Sequence, residues 1–123
     1  MEFKETQAIY LQIGDYICEN ILTGKWKTGE RILSIRELGV NLEVNPNTVM
    51  RTYEFLQNQG IIYNKRGIGY YVSEDAPAKI KSYRKVIFME HELPQFFKNM
   101  LLLGMEMDEV IPYYQQFLYQ YQK

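Results

Sequence analysis

The sequence predicts an α+β fold in which three helices and a β-hairpin are followed by a short helical segment. Three features in the middle of the chain predict the central part of this fold. Asn45 is a typical N-cap residue ahead of a helical stretch, and Gly60 is typical of that helix's end. Two β-prone runs then flank a turn that contains Lys65, Arg66 and Gly67. A helix followed by a basic hairpin is the outline of a winged helix-turn-helix.

The first helix is predicted over residues 8–23, with Gly24 after its end. One of its faces repeats isoleucine at every fourth position, which is typical of a helix packed on a core. This apolar face consists of Ile9, Ile13, Ile17 and Ile21, together with Tyr10. A second, narrower apolar stripe on roughly the opposite side consists of Leu11, Cys18 and Leu22. We therefore expect this helix to be covered by its own domain and by a second partner.

Two further helices are predicted before the hairpin. The second spans residues 35–42, where Ser34 suits the N-cap and Glu37 completes a capping box. In the third helix Asn45 is the expected cap and Pro46 suits the first position. Its apolar face contains Val49, Tyr53 and Leu56, and its opposite face contains Asn47, Arg51 and Asn58. A core face opposite an amide and guanidinium face is what a helix that reads the major groove requires.

The C-terminal third is predicted to be helical. Residues 73–77 have the composition of a linker, and a helix follows over residues 78–92 until Pro94 breaks or restarts it. Gly104 ends the next helix, and Asp108 is the expected cap of the last one. The expected organisation is a winged-helix domain over residues 1–75 and a short all-α segment over residues 76–123.

Charge is distributed unevenly along the chain. The net charge is −1 overall, although nucleic-acid-binding domains are usually basic. Between residues 44 and 72, however, Arg51, Lys65 and Arg66 are opposed by Glu54 alone, which leaves a net charge of +2. Phosphate binding requires positive charge at the contact face, not over the whole molecule. A patch this small predicts modest affinity per subunit and favours a dimer on two half-sites.

Several classes of protein are excluded by composition. No run of apolar residues is long enough to span a membrane, and the N-terminus lacks the pattern of a secretory signal. The single cysteine, Cys18, excludes an internal disulfide and indicates a reducing, cytoplasmic location. Cys18 and the single histidine, His91, cannot form a metal cluster, so we expect neither a metal nor another cofactor. The sequence offers no paired nucleophile and general base, so we do not expect an enzyme.

The order of the motifs resembles a known family. The matching residues are Ile9-Tyr10-Leu11-Gln12-Ile13, Gly24, Gly29, Leu33-Ser34-Ile35-Arg36-Glu37-Leu38, Asn45-Pro46-Asn47-Thr48-Val49, Arg51-Thr52-Tyr53 and Arg66-Gly67-Ile68-Gly69. Over residues 8–72 the chain resembles the N-terminal winged-helix domain of GntR-family bacterial transcriptional regulators. Its short helical C-terminal part resembles the YtrA-type subfamily, which implies a target operon encoding an ABC transporter. The sequence departs from the family pattern at Leu33, in place of proline, and at Phe55, in place of a polar residue.

The resemblance implies a set of DNA-binding residues. Arg36 is expected to reach DNA, the start of the third helix to lie in the major groove, and the hairpin tip to lie in or beside the minor groove. The full set consists of Ser34, Arg36, Asn45, Pro46, Asn47, Thr48, Arg51, Lys65, Arg66, Gly67 and Gly69. Ser34 is expected to serve mainly as a helix cap. Phe55 is expected to pack on a neighbouring element or a partner.

The apolar C-terminal residues allow two interpretations, a ligand pocket or a dimer interface. We favour the interface, because two or three helices of this length cannot cover their own apolar faces. Its expected members are Leu11, Cys18, Leu22, Phe96, Phe97, Met100, Val110, Tyr114, Phe117, Leu118 and Tyr121. The predicted function is a homodimeric, sequence-specific transcriptional repressor that binds double-stranded DNA at a palindromic operator, with a small-molecule effector of unidentified chemistry. The alternative is a winged-helix module that binds protein instead of DNA.

Overall fold

A computed structural model of the chain describes residues 1, 3 and 7–122. The contacts between Cα atoms divide it into an N-terminal unit, Met1–Tyr83, and a C-terminal unit, Arg84–Lys123. The elements in chain order are α1 (Ile9–Leu22), α2 (Ile35–Leu42), α3 (Pro46–Asn58), β1 (Ile62–Lys65), β2 (Gly69–Val72), α4 (Ala76–Ile87), a π-helical turn (Phe88–Glu92), α5 (Leu93–Leu103) and α6 (Met107–Tyr121). The predicted α+β fold, with three helices and a hairpin wing before a helical segment, is confirmed.

Helices α1, α2 and α3 enclose the core of the N-terminal unit. Helix α3 packs against both α1 and α2, and it also contacts β1. The predicted core face of α3 is confirmed, because Val49, Tyr53 and Leu56 have no exposed surface. Leu38 of α2 is equally buried. This packing leaves the opposite side of α3 in solvent.

Two buried hydroxyl groups connect α3 to its neighbours. The Tyr53 hydroxyl donates a hydrogen bond to the Leu33 carbonyl oxygen at 2.7 Å. Burial raises the pKa of the Tyr53 phenol far above its usual range, so this group remains a donor. The Thr52 hydroxyl donates to the Tyr10 carbonyl oxygen at 2.8 Å. Both bonds fix the rotation of α3, because each satisfies a polar group that the core would otherwise leave unpaired.

The wing is the antiparallel hairpin formed by β1 and β2, in which Ile62 pairs with Val72 and Lys65 pairs with Gly69. The connector between α1 and α2 runs alongside β2. An isolated bridge joins Arg31 to Tyr71, and the Ile32 amide donates to the Tyr70 carbonyl at 2.9 Å. The wing is therefore anchored to the segment that leads into α2.

The second apolar stripe predicted on α1 is partly wrong. Cys18 has no exposed surface and belongs to the core of its own unit, whereas Leu22 is 39% exposed. At about 100° per residue, position 18 lies only about 60° around the helix from Ile21. The core that covers Ile21 therefore also covers Cys18, and Cys18 is not available to an interface.

The linker predicted over residues 73–77 is shorter than expected. Helix α4 already begins at Ala76, and Pro77 lies in its first turn. Proline is well tolerated there, because amide groups of the first turn have no partner within the helix. Ala76 and Ile80 are fully buried in the core of the N-terminal unit. The burial of Ala76 and Ile80 explains why the helix begins earlier than the linker-like composition of residues 73–77 predicted.

Two helix boundaries in the C-terminal unit follow from local backbone chemistry. The turn Phe88–Glu92 is π-helical, and α5 begins at Leu93 with Pro94 in its first turn. Of the two predicted outcomes at Pro94, a break or a restart of the helix, the structure has the restart. The prediction that Asp108 caps the last helix is wrong. Glu106 is the N-cap of α6, and its amide donates to the Glu109 carboxylate at 2.8 Å in a capping box, which leaves Asp108 in the first turn.

The described part of the chain contains no helix that is long and apolar enough to cross a membrane. Over the same residues, no group of three or more His, Cys, Asp or Glu side chains is arranged to hold a metal ion.

Candidate nucleic-acid interface

The exposed face of α3 carries the polar side chains that were predicted to contact DNA. Asn47 and Arg51 of the predicted DNA-binding set are exposed, on the side opposite the buried core face, and Asn58 is exposed on the same side. The Asn45 side chain caps the helix by accepting a hydrogen bond from the Asn47 amide at 2.8 Å, and Pro46 occupies the first helical position. The cap fixes where the helix begins, and therefore which residues its N-terminal end presents to a ligand.

The turn between α2 and α3 is tight. Glu43 adopts a left-handed conformation with φ 57°, and a Cβ atom added to Gly39 would lie 3.1 Å from the Val44 carbonyl oxygen. A larger residue at position 39 would push the two helices apart, because that oxygen belongs to the backbone. Gly39 thus sets the close approach of α2 to the start of α3.

The start of α2 is held by the predicted capping box. The Ser34 hydroxyl accepts a hydrogen bond from the Glu37 amide at 3.1 Å, and the Ser34 amide donates to the Glu37 carboxylate at 3.0 Å. The bond from the Ser34 amide is the main reason that the pKa of Glu37 is lowered, and the Ser34 side chain adds to the effect, because both favour the charged carboxylate. Arg36 is exposed in the same turn, so its side chain extends from a rigid helix end.

The tip of the wing is basic and exposed. Arg66, Gly67 and Ile68 form the turn, and Gly67 has a φ of 78°, which favours glycine. The Lys65 ammonium lies 4.4 Å from the centroid of the Tyr71 ring, an arrangement typical of a cation–π contact. One cation is therefore held against the wing and the next, Arg66, extends from its tip.

Arg31 is a basic residue of this region that the sequence analysis did not select. A Cβ atom added to Gly69 would lie only 2.8 Å from the Arg31 Nε atom, so the arginine side chain lies directly on the wing backbone. Gly69 also has a φ of 146°, a conformation that other residues rarely adopt. The alternation of exposed Arg31 with buried Ile32 is a strand pattern that the sequence contained. Without knowledge of its pairing with β2, nothing indicated that Arg31 adjoins the wing.

Arg51 is in contact with an aromatic cluster. Its Cζ atom lies 4.0 Å from the centroid of the Tyr10 ring. Phe55 contacts the edge of Tyr10 at 6.2 Å between ring centroids, and it contacts Tyr83 at 5.3 Å. The expectation that Phe55 packs on neighbouring elements is confirmed.

The residues predicted for a dimer interface occupy varied environments. Met100 is 9% exposed, so most of its side chain is already covered within its own chain. Leu11 and Val110 are half-buried. The remaining C-terminal members are exposed in the described chain, namely Phe96, Phe97, Tyr114, Phe117, Leu118 and Tyr121. Leu101, Leu102 and Leu103, which were not among the predicted interface residues, are 79%, 74% and 72% exposed.

Comparison with known proteins agrees with this geometry. The model of the GntR family of bacterial regulatory proteins matches residues 9–72. The chain is 33% identical over 110 residues to YhcF of Bacillus subtilis, an uncharacterised HTH-type transcriptional regulator, and the match covers 89% of each chain. It is 33% identical over 107 residues to YtrA of the same organism, an HTH-type transcriptional repressor, covering 87% of this chain and 82% of YtrA.

Solved structures extend the similarity to the C-terminal helices. A crystal structure of a GntR-family transcriptional regulator from Bacteroides thetaiotaomicron has 46% identity and a TM-score of 0.82, over 94% of this chain and all of that one. The DNA-binding domain of AraR, solved in complex with an operator, has 27% identity and a TM-score of 0.53, over 59% of this chain and 86% of that one. The exposed polar face of α3, the basic wing and these matches lead to one conclusion: the chain belongs to the GntR family of DNA-binding bacterial transcriptional regulators.

Proposed function

We propose that the protein is a homodimeric repressor that binds a palindromic operator. Each subunit inserts the N-terminal part of α3 into the major groove and places its wing at the adjacent minor groove. The observation that carries this proposal is the exposed face of α3, with Asn47 and Arg51, on a unit that also exposes a basic wing tip. Asparagine and arginine are the side chains that read adenine and guanine through paired hydrogen bonds.

Cations near this face supply the affinity that does not depend on sequence. Arg36, Arg51, Lys65 and Arg66 are exposed, and Arg31 lies against the wing. Such contacts to phosphate position the protein, and contacts to base edges give specificity. The local concentration of cations explains how a chain with a net charge of −1 binds a polyanion. The competing hypothesis, a winged helix that docks protein, has only the overall charge in its favour.

The C-terminal unit supports dimerisation. Leu101, Leu102 and Leu103 are each more than 70% exposed, and Tyr113 and Tyr121 are exposed to a similar extent. A high density of exposed apolar side chains in one segment is typical of an interaction site. A second copy is the simplest partner, since a two-fold arrangement of subunits matches the symmetry of a palindromic operator. Half-sites are then expected roughly 34–36 Å apart, or at multiples of that distance.

The sign of regulation is proposed from similarity. YtrA of Bacillus subtilis, which aligns with 87% of this chain, is a transcriptional repressor. We extend that role to this protein, which would block transcription by occupying its operator. A small-molecule effector that changes the geometry of the dimer would release it, because two recognition helices at the wrong spacing cannot occupy both half-sites.

Titration of a labelled duplex at increasing salt concentrations tests the DNA interface. The full chain should bind a GC-balanced duplex weakly, and the logarithm of the association constant should fall linearly with that of the salt concentration. Replacing one phosphate-binding cation should reduce this slope by about 0.9, and the double Lys65→Ala/Arg66→Ala variant should reduce it by about 1.8. The matched control is Lys98→Ala, which removes an exposed lysine of α5 outside the proposed DNA interface. This variant should leave the slope unchanged.

The experiment also separates the two hypotheses. A protein-docking module would leave DNA affinity equally low in the wild type, the control and the double variant. Equal slopes for the double variant and Lys98→Ala, with all proteins folded, would refute the proposed role of the wing. Arg51→Ala should instead lower the preference for the operator over unrelated duplexes, by about 1–3 kcal/mol if the arginine reads a base.

A further inference from the structure

We propose that Tyr10 is a positioning residue that holds Arg51 ready to contact DNA, an inference that rests on the role proposed above for Arg51. The Arg51 Cζ atom lies 4.0 Å from the centroid of the Tyr10 ring. Tyr10 belongs to α1 and Arg51 belongs to α3, and these two helices pack together in the core. An aromatic face therefore supports a cation on the helix face assigned to DNA.

Tyr10 is itself held in place from two sides. Its carbonyl oxygen accepts a hydrogen bond of 2.8 Å from the buried Thr52 hydroxyl, which ties this turn of α1 to α3. Its ring is contacted by Phe55, with ring centroids 6.2 Å apart and planes inclined at 78°. Ile13, one turn further along α1, has no exposed surface. The ring is thus attached to a part of α1 that the core fixes in position.

The contact supports Arg51 without using its hydrogen-bonding capacity. The five N–H groups of a guanidinium lie in its plane, so an aromatic ring against one face leaves them available to a phosphate or a base edge. A long exposed side chain loses rotamer freedom when it is ordered in a complex, and that loss opposes binding. Tyr10 orders Arg51 before DNA arrives. It therefore increases affinity without touching DNA.

The support extends beyond Tyr10. Phe55 contacts Tyr83 of α4, with ring centroids 5.3 Å apart. Edge-to-face aromatic pairs of this geometry add to the stability that burial already provides. The arrangement links the DNA face of α3 to α1 and α4 within one unit.

The test measures DNA affinity in variants of the full chain. The probe is a fluorescein-labelled duplex that the wild-type protein has selected from a randomised library. Tyr10→Leu removes the ring, and Tyr10→Phe keeps it while removing the hydroxyl. We expect Tyr10→Leu to weaken binding about two- to fivefold, the effect of a cation–π contact at an exposed site. Tyr10→Phe should bind like the wild type.

A double-mutant cycle distinguishes positioning from a general structural role. In an Arg51→Ala background, Tyr10→Leu should cause no further loss, because the residue through which it acts is absent. An equal loss in both backgrounds, or unchanged or tighter binding by Tyr10→Leu alone, overturns the proposal. If Arg51→Ala weakens binding while Tyr10→Leu does not, only the role of Tyr10 fails. If Arg51→Ala itself has no effect, the role proposed for Arg51 fails as well.

A spectroscopic measurement on the unliganded wild type covers the case in which Tyr10→Leu does not fold. The ring current of Tyr10 should shift the Arg51 δ-protons upfield from their values in an unstructured peptide, and Tyr10→Phe should retain that shift. Ordinary peptide values in both proteins would overturn the proposal.

Discussion

The two units of the chain bury their apolar side chains to different extents. In the N-terminal unit, α1, α2, α3 and the wing surround a core whose central members, such as Leu56 and Ile61, have no exposed surface. Within the described part of the C-terminal unit, Met100 is the one apolar side chain that reaches comparable burial. Its neighbour Leu102 is 74% exposed. The first unit is closed by its own residues, whereas the second leaves most of its described apolar side chains exposed.

Helix formation does not account for this difference. Each unit contains a helix with a complete capping box, formed by Ser34 and Glu37 in α2 and by Glu106 and Glu109 in α6. The local signals that begin a helix are therefore present in both. The units differ in tertiary packing, and helices within proteins gain most of their stability from packing of the apolar face. Within the described chain, the C-terminal helices therefore gain less stability from buried apolar side chains than the N-terminal helices do.

The largest expected effect is the loss of a core leucine from the closed unit. Leu56→Ala should lower the free energy of unfolding by about 2–5 kcal/mol, because it removes buried contacts and leaves a cavity. Urea unfolding followed by the fluorescence of Trp26 measures this change. Trp26 is the single tryptophan of the sequence and packs against Tyr16 in the same unit, with ring centroids 6.5 Å apart.

The matched control for Leu56→Ala is Leu102→Ala in the C-terminal unit. The same change of side chain at a position that is 74% exposed should alter the Trp26 transition by less than about 0.5 kcal/mol in dilute protein. Similar losses for both leucines would show that the two units are equally closed and that our comparison is wrong.

The next effect concerns association between chains. Leu102→Asp places a charge in the proposed dimer interface and should raise the dimer dissociation constant about 10- to 100-fold, the equivalent of losing one buried leucine contact. Sedimentation equilibrium of the full chain measures this constant. Leu102→Met, which nearly conserves side-chain volume, should retain most of the affinity. A wild-type protein that remains monomeric at every concentration would remove the basis for this prediction.

The sequence predicted the closed unit more fully than the open one, for physical reasons. The helical periodicity identified Val49, Tyr53 and Leu56 as a core face, because one side of α3 is buried and the opposite side is exposed to solvent. Cys18 was misplaced, because the buried arc of α1 is wider than its single stripe of isoleucines suggests. The pairing of Arg31 with Tyr71 could not be foreseen, since contacts between distant segments are not encoded in a local pattern.

In the C-terminal unit, the spacing of apolar residues did not predict which side chains are exposed. Phe96, Phe97 and Met100 were predicted as one interface, yet Met100 is 9% exposed and the other two are more than 40% exposed. Leu102 and its neighbours were overlooked, because three consecutive leucines have no single helical face. The exposure of an apolar side chain depends on the number of neighbouring helices that can pack against it, and a local sequence pattern does not give that number.

A smaller effect is expected at the wing, where exposed residues of the closed unit are still held in place. In Gly69→Ala, a methyl group at φ 146° would lie 2.8 Å from the Arg31 Nε atom. Because a flexible side chain can move away, we expect a loss of stability of about 1 kcal/mol, near the low end for a strained backbone. DNA affinity should also fall, since the wing and Arg31 cannot both keep their positions.

A suitable control for the wing is Gly24→Ala. Gly24 also has a positive φ, of 81°, but an added Cβ atom would have no neighbour within 4 Å. This variant should lose stability without losing DNA affinity. Equal DNA affinity for Gly69→Ala and Gly24→Ala would mean that the contact between Arg31 and the wing does not matter for binding.

The smallest effect is a pH dependence of the capping box in α2. The hydrogen bonds from Ser34 lower the pKa of Glu37 from its ordinary value of 4.5, so the charged carboxylate stabilises the folded state. That contribution is fully present above about pH 4.5 and is lost as the pH falls through the lowered pKa of the folded state. Glu37→Gln keeps an acceptor for the Ser34 amide but cannot titrate. The difference in stability between wild type and Glu37→Gln should therefore shrink in acid.

Urea midpoints of the Trp26 transition, measured from about pH 7 down to about pH 3, test this expectation. Glu54→Gln, which neutralises an exposed carboxylate on α3, controls for the change in net charge. A constant difference between the wild type and Glu37→Gln across this range would mean that the charge of Glu37 contributes nothing. The cap would then act through hydrogen bonds alone. Glu109→Gln provides the same test for the capping box that Glu106 and Glu109 form in α6.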